Sequence, residues 1–434
     1  MIATIVIAVI TCLGLVLCVL IKPEIGIKKI TLPLYPFIAL VGAIAAVAFT
    51  PLTLKDCLDG ILGAGAVNPL KILTLFISVT AISIFLDEGG FFEYLACKVL
   101  KKSGKSKVKL FIFLYITVSV LTVFTSNDVI ILTFTPIILY FCKSGNIKPA
   151  PYLVAEFAAA NTWSMALIIG NPTNVYIATA AGIDFLSYLE VMIVPTLAAG
   201  VVSLLILLLL FRKSLKEPIL LPDHDISSPM KDKPLCILGL IVLIICTVGL
   251  AISGYIGIEM WLECAICAIV LIISALLLCL VRHKKPVVVG HALGRIPYQL
   301  IPFVISMFII VLSLDKMEIT RYIAEAFSFN ELIEYGVGSY LASNLVNNIP
   351  MSVLFSSVIN AGNASRYAVY ATVIGSNLGA LLSPVGALAG IMFSSITKKA
   401  GYKFSNLDFI MYGASVSVCS LAASLGCLAL MLMI

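Results

Sequence analysis

Apolar runs of membrane length alternate with short polar breaks along the whole chain. Those at 1–21, 30–50, 69–86, 152–181, 186–211, 235–253, 261–281, 297–314, 367–396 and 409–433 read as ten transmembrane helices. Two further runs, 110–142 and 335–360, do not fit that reading. The first holds 33 residues. As one helix it would reach about 50 Å at ~1.5 Å per residue, against a hydrocarbon core of about 30 Å. Both runs carry polar residues at or before their centre: Ser126, Asn127 and Asp128 in the first, and Ser343, Asn344, Asn347 and Asn348 in the second. A hairpin that enters, turns at a polar tip and leaves on the same side explains both. The expected fold is therefore an all-α polytopic membrane protein with about ten transmembrane helices and two re-entrant hairpins. The stretches 88–109 and 315–334 read as amphipathic arms at the interface before each hairpin.

Charge separates hairpins from spans. With both runs as hairpins, 23 of the 28 Lys and Arg residues fall on one face and five on the other. With both runs crossing, the tally becomes 14 against 14. Cytoplasmic loops carry the excess of Lys and Arg. The hairpin arrangement restores that asymmetry, and it puts both termini outside the inner (plasma) membrane. The first hairpin then enters from the cytoplasm and the second from outside.

The halves resemble each other. Residues 76–100 read like 303–327, with Asp87 matching Asp315, and Ser126-Asn127 matches Ser343-Asn344. The segment 159–174, with Asn161, Thr162, Asn171, Thr173 and Asn174, matches 374–386, with Ser376, Asn377 and Ser383. The distance from Ser126 to Asn161 is 35 residues, and from Ser343 to Asn377 it is 34. Each half has five crossings, an odd number, so the repeats are inverted. The predicted organisation is a first repeat at 1–211 (scaffold spans 1–109, hairpin and broken helix 110–211), a cytoplasmic linker at 212–234, and a second repeat at 235–434 (scaffold spans 235–334, hairpin and broken helix 335–434). The linker is marked by proline and mixed charge.

Composition agrees. Of 434 residues 61% are hydrophobic and 12% charged, and the mean hydropathy is +1.13. Soluble domains average roughly 45–50% apolar and about 25% charged. The first run lacks a basic start, and Lys22-Pro23 stands where a signal cleavage site would be, so it reads as a retained helix. His224, His283 and His291 fall in polar loops and read as solvated. Cys264 and Cys267, inside an apolar helix, read as packing. A membrane aspartyl protease needs two buried acids and a zinc protease His-Glu-x-x-His. Neither is read here, and an enzyme is not expected. "SGKS" at 103–106 lacks the first glycine of a phosphate-binding loop.

Repeats with broken helices point to a transporter site near the membrane midplane. Four segments qualify: the tips with Ser126, Asn127, Asp128 and Ser343, Asn344, Asn347, Asn348, and the breaks with Asn161, Thr162, Asn171, Thr173, Asn174 and Ser376, Asn377, Ser383. Pro172 and Pro384 remove helix hydrogen bonds there. Unwound backbone at membrane depth is tolerated only where it lines a cavity or is buried in protein. Asp128 is the one carboxylate placed at depth; Glu156, Glu190, Glu259 and Asp408 read as interfacial. Asp128 suits a proton carrier or a ligand for Na⁺. No Lys or Arg falls among these segments, so an anionic substrate would rely on helix dipoles.

At these residues the chain resembles the ion transporter superfamily, in its arsenite permease and sodium/proton antiporter branch. Arsenite efflux permeases are similar in an Asn–Asp pair before an apolar "LTP" run (Asn127-Asp128 with "ILTFTP"), in Asp-x-x-Gly-Phe ("LDEGGFFE") and in Asn-Asn-x-Pro (Asn347–Pro350). Carboxylate carriers of the superfamily have Ser-Asn-Thr at both tips; here the tips read Ser-Asn-Asp and Ser-Asn-Leu. The resemblance implies an elevator-type transporter, often a homodimer, that exports arsenite or antimonite in exchange for protons, with Asp128 carrying the proton. Na⁺/H⁺ antiport and symport of a carboxylate or other oxyanion are the alternatives. No cofactor is expected beyond a coupling H⁺ or Na⁺. The expected partners are a small inorganic or organic ion, the lipid bilayer, a second copy and a separate cytoplasmic ATPase, with no nucleic acid.

Overall fold

The computed structural model describes residues 1–21, 24–27, 30–63, 68–216, 230–327, 329–402 and 404–433. Most of the expected linker, with His224, lies outside the described residues, as do Lys22, Lys28, Lys29 and Lys403. The chain opens with α1 (Ile2–Ile21), an antiparallel pair β1 (Glu24–Ile27) and β2 (Ile30–Pro33), then α2 (Tyr35–Phe49), α3 (Leu54–Leu62), α4 (Pro69–Glu88) and α5 (Phe91–Ser103). The expected span at 30–50 is thus shorter. Pro33 closes the strand pair, and α2 starts with proline in its first turn, where a missing N–H costs nothing.

The long run divides as expected, into α6 (Lys107–Phe124) and α7 (Asn127–Ser144), parted by Thr125 and Ser126 in extended conformation. Then come α8 (Ala150–Trp163), a single 3₁₀ turn (Ile168–Gly170), α9 (Pro172–Ala180) and α10 (Phe185–Phe211). The second half repeats that order: α11 (Lys233–Ile256), α12 (Met260–Val281), α13 (Val287–Arg295), α14 (Leu300–Lys316), α15 (Ile319–Ala326), α16 (Glu331–Val346), α17 (Asn348–Gly362), α18 (Arg366–Gly379), α19 (Leu388–Lys399) and α20 (Asn406–Leu432). Among the described residues nine helices are long and apolar enough to cross a membrane, both limbs of the first hairpin included.

Packing follows the same pairing. Helix α6 packs on α8 as α16 packs on α18, α2 on α14 as α12 on α4, and α7 on α19 as α17 on α9. The last exchanges place each hairpin against the broken helix of the other half. α10 and α20 pack on each other. The outward faces of α11 and α12, with Ile241, Ile244, Ile245, Ile269 and Ile273, are exposed apolar surface, which suits lipid and would be costly in water. Helix α4, by contrast, is buried along most of its length.

Two glycines fix the closest helix contact. A Cβ at Gly375 would lie 2.0 Å from the Gly336 carbonyl oxygen, and one at Gly379 2.4 Å from Ser343 Oγ. Small residues four apart let α16 and α18 touch backbone to backbone, a common device between membrane helices.

Candidate functional site

The first tip is built by the start of α7. Asn127 donates from Nδ2 to Asn161 Oδ1 at 3.1 Å, and its own Oδ1 accepts the Asp128 backbone N–H at 2.9 Å. α8 ends just beyond Asn161, where Ser164 Oγ hydrogen-bonds both the Asn161 carbonyl and Asn377 Oδ1, each at 2.9 Å. Asn377, in the other half, is the hub. Its Oδ1 also accepts from Asn171 Nδ2 at 2.8 Å, and its Nδ2 donates to Asn174 Oδ1 at 2.7 Å and to the Val373 carbonyl at 2.9 Å. All of these side chains are fully or almost fully buried.

Several predicted residues prove to be helix caps. Asn171 Oδ1 accepts the backbone N–H and the hydroxyl of Thr173, both at 3.1 Å, which starts α9 behind Pro172. Asn174 Nδ2 donates to the Ser164 and Leu167 carbonyls and so satisfies the unwound loop. Asn347 caps α17 by accepting from Ile349 N–H, and its Nδ2 donates to the Val385 carbonyl at 2.8 Å.

The second tip turns at the Asn347-Asn348 end of its expected segment. Ser343 and Asn344 lie within the last turn of α16, and the turn itself is at Asn347, with φ of 74°. Asn347-Asn348, and not Ser343-Asn344, thus occupies the place of Ser126-Asn127. The match of Ser126-Asn127 to Ser343-Asn344 is therefore one turn off, because the reversal depends on a left-handed asparagine that a Ser-Asn match does not report. Asn344 still joins the site: its Nδ2 donates to the Gly379 carbonyl at 2.9 Å and its Oδ1 accepts from Ser383 Oγ at 2.7 Å. Ser343 Oγ donates to the Tyr340 carbonyl. Hydrogen bonds therefore link the four predicted segments to one another.

What the caps do not use is informative. Ser126 Oγ, Thr162 Oγ1, Ser376 Oγ and Asn348 Oδ1 are buried with no hydrogen-bond partner among the described residues. Buried polar atoms are nearly always satisfied, so such orphans are natural contacts for water, an ion or a hydroxylated ligand. The N-termini of α7, α9, α17 and α19 flank the breaks and add partial positive charge.

Asp128 points elsewhere. It is half-buried and lines a cavity of about 580 Å³ with Glu24, Tyr35, Thr80, Arg295 and Gln299. Its carboxylate makes no hydrogen bond or ion pair among the described residues. No basic residue stands near it in the sequence, yet Arg295 lines the same cavity. Its guanidinium is held by Asp87 at 2.7 Å and Glu88 at 2.5 Å. Two carboxylates against one guanidinium leave that group with no positive charge to spare.

Three features escaped the sequence reading. Glu156 is fully buried rather than interfacial, and its carboxylate accepts the Thr135 hydroxyl at 2.9 and 3.1 Å. Asp128 is therefore not the only carboxylate at depth. The reason is that α6, α7 and α10 all pack on α8 and enclose it. Asp87 accepts the Thr133 hydroxyl at 2.7 Å, and Asp315 accepts those of Ser357 at 2.7 Å and Thr320 at 2.5 Å. Each of these matched aspartates ties the hairpin's second limb to the helix that precedes the arm. The repeat similarity of Asp87 and Asp315 was the signal for it. Ser164 was the third omission.

The sequence matches the family described as CitMHS, citrate transporter, over residues 5–367. The arsenical pump membrane protein of Escherichia coli (strain K12) is 28% identical over 379 residues, covering 82% of this chain and 85% of that protein. A 46 kDa membrane protein of Mycobacterium leprae is 25% identical over 384 residues, covering 81% and 84%. Among solved structures, the Alcanivorax borkumensis YdaH transporter, described as having an unusual topology, aligns over 99% of this chain and 98% of its own. Its TM-score is 0.56 at 13% identity, a likeness that bears on fold alone.

Proposed function

Because this chain belongs to the citrate transporter family CitMHS, a family of membrane transporters, we propose that it exports arsenite or antimonite in exchange for protons, by an elevator movement of the hairpins and broken helices. The observation that carries the proposal is Asp128, a carboxylate at a hairpin tip that faces a large cavity with no protein partner among the described residues. The arsenical pump membrane proteins among its relatives support the choice of cargo.

The coupling follows from what the bilayer tolerates. An ionised, unpaired carboxylate at membrane depth costs several kcal/mol or more (~2.5 kcal/mol at the least). Two states of the tip avoid that cost. In one, Asp128 is protonated and the site is empty. In the other, Asp128 is ionised and accepts hydrogen bonds from the hydroxyls of trivalent arsenic or antimony hydroxide held in the cavity that it lines. Proton and cargo then compete for one group. The protonated tip returns inward and the loaded tip moves outward, which is antiport. Since the cargo is neutral, each cycle brings one positive charge in, so both a pH gradient and a membrane potential drive export.

The family's description favours a second reading, carboxylate symport. Against it, Arg295, the one Arg among the described residues that line the cavity, is already bridged by Asp87 and Glu88, and the asparagine network has no Lys or Arg hydrogen-bonded to it among the described residues. We place the remaining parts on the same footing. Termini face outside, the spans of residues 1–109 and 235–334 serve as scaffold, a second copy joins that scaffold, and a separate cytoplasmic ATPase docks on the basic face. Uptake assays on proteoliposomes test the cargo. Arsenite accumulation in inverted vesicles acidified inside supports the proposal. Sodium-driven proton movement with no arsenite flux replaces it with Na⁺/H⁺ antiport, and citrate uptake replaces it with symport.

A further inference from the structure

Outside the transport site, α11 and α12 bring together three thiols and a carboxylate. Cys246 Sγ lies 3.8 Å from Cys264 Sγ. Cys267 donates its thiol proton to Glu263 Oε1 at 3.5 Å, and Cys264 to Glu263 Oε2 at 3.9 Å. Ligand atoms of Cys246, Glu263 and Cys267 all lie within 4.8 Å of one another. Cys246, Cys264 and Cys267 are 1%, 0% and 8% exposed, so the group is enclosed. The "CAIC" pair alone is a packing feature; Cys246, from the neighbouring helix, turns it into a convergent set. Gly249 makes the room: a Cβ there would stand 2.2 Å from Glu263 Oε1.

We propose that Cys246, Cys264, Cys267 and Glu263 form a second binding site, for a thiophilic trivalent hydroxide such as arsenite or antimonite. Soft thiolates select soft acceptors. Charge then chooses among them. A divalent metal bound by three thiolates and a carboxylate would carry a net charge of −2, which is costly at membrane depth. A trivalent metalloid bound by three thiolates is itself neutral and leaves only the charge of the Glu263 carboxylate. The reaction is a condensation without redox change. Three S–H bonds and three arsenic–hydroxyl bonds break, three arsenic–sulfur bonds form, and each thiol proton leaves with a hydroxide as water. Glu263 touches two of the thiols, so it takes their protons and returns them to the departing hydroxides. Ligation joins α11 to α12. The ligand class is that of the proposed cargo, but the site is separate from Asp128 and the asparagine network, so its test does not require transport.

The full-length protein, reduced and held in lipid nanodiscs, is titrated with sodium arsenite and, in a parallel arm, with zinc chloride. Arsenic X-ray absorption reports the first shell. The expected result is one arsenic per chain with sulfur neighbours only, stripped by a small dithiol. Cys246→Ser should weaken binding more than about tenfold, as loss of a ligand does, and so should Cys264→Ser and Cys267→Ser. Glu263→Gln should slow ligation while the final sulfur shell stays the same. Size-exclusion profiles establish that each variant is folded. An oxygen-only shell, a sulfur shell that persists in the triple serine variant, or tight binding of zinc without arsenic overturns the proposal. Wild-type protein that exports arsenite yet shows no sulfur shell overturns this inference and leaves the proposed function. A sulfur shell without export does the reverse.

Discussion

Replacing Asn377 by leucine removes the hub of the buried network while keeping nearly the same size. Four hydrogen bonds go: those from Ser164 Oγ and Asn171 Nδ2, and those to Asn174 Oδ1 and the Val373 carbonyl. Ser164 keeps the Asn161 carbonyl as an acceptor. Asn171 Nδ2 and Asn174 Oδ1 keep nothing comparable, so two buried groups are orphaned. Each costs about 1–3 kcal/mol by the soluble-protein scale. Polar links between membrane helices average nearer ~0.6 kcal/mol. The change should therefore destabilise the protein by between about 1 and about 6 kcal/mol. Asn174→Leu alone should cost less, and the double variant should cost less than the two singles added, because one lost pair is counted twice. Thermal unfolding in detergent, followed by reaction of the newly exposed cysteines with a fluorescent maleimide, reads all three. Wild-type unfolding temperature in Asn377→Leu, or strict additivity with Asn174→Leu, would refute the view that this network ties the two halves' broken helices together.

Other outcomes follow from single contacts. Gly375→Ala places a methyl 2.0 Å from the Gly336 carbonyl and should abolish a monodisperse size-exclusion peak, whereas Gly290→Ala, with nothing within 4 Å, should leave it intact; equal behaviour contradicts the close packing of α16 on α18. Asp232 caps α11 outside the span. Desolvation pushes its carboxyl up, but the Arg282 bond at 2.7 Å, the Leu235 N–H and the nearby Arg282 and Lys284 charges outweigh that and hold it below the usual carboxylate range. A depressed folded value contributes stability that is whole above the unfolded pKa of about 3.9 and lost as pH falls through the folded value. The stability gap between wild type and Asp232→Asn should thus be present at neutral pH and close below about pH 4, and a gap independent of pH contradicts it. Finally, Ser144, the last residue of α7, and Asn363, the residue after α17, are both exposed at the hairpins' far ends. A cysteine replacing Ser144 should react with an impermeant maleimide only from the cytoplasm and one replacing Asn363 only from outside; labelling from the same side removes the opposed hairpins.

The fold was legible because its main signal is crude: apolar length against bilayer thickness. The break at Asn171–Pro172 carried its own chemistry, a capping asparagine and a proline that starts a helix, and the break at Thr125–Ser126 showed as polar residues inside an apolar run. Where the signal was geometric the sequence was silent. The turn at Asn347 needs a left-handed backbone, and the strand pair before α2 interrupts a run that composition alone reads as membrane. Site residues were found by type, and the four segments do interconnect. What could not be read was direction. Asn127 faces the network while its neighbour Asp128 faces the cavity, and Glu156 turns inward to Thr135 of the preceding helix. The thiol cluster required Cys246 and Cys264 to meet across two helices, which spacing along one helix does not report.

The central claim is that one carboxylate is shared between proton and cargo. Asp128→Asn keeps size and hydrogen-bonding capacity and removes the exchangeable proton. The decisive measurement is arsenite accumulation by proteoliposomes under an imposed pH gradient, compared between wild type and Asp128→Asn at matched reconstitution. The account predicts that wild-type accumulation follows the gradient, while the variant fails to accumulate arsenite uphill and retains at most slow downhill exchange. Uphill accumulation by Asp128→Asn at the wild-type rate and with the wild-type pH dependence would contradict it, and would move the coupling site to the fully buried Glu156.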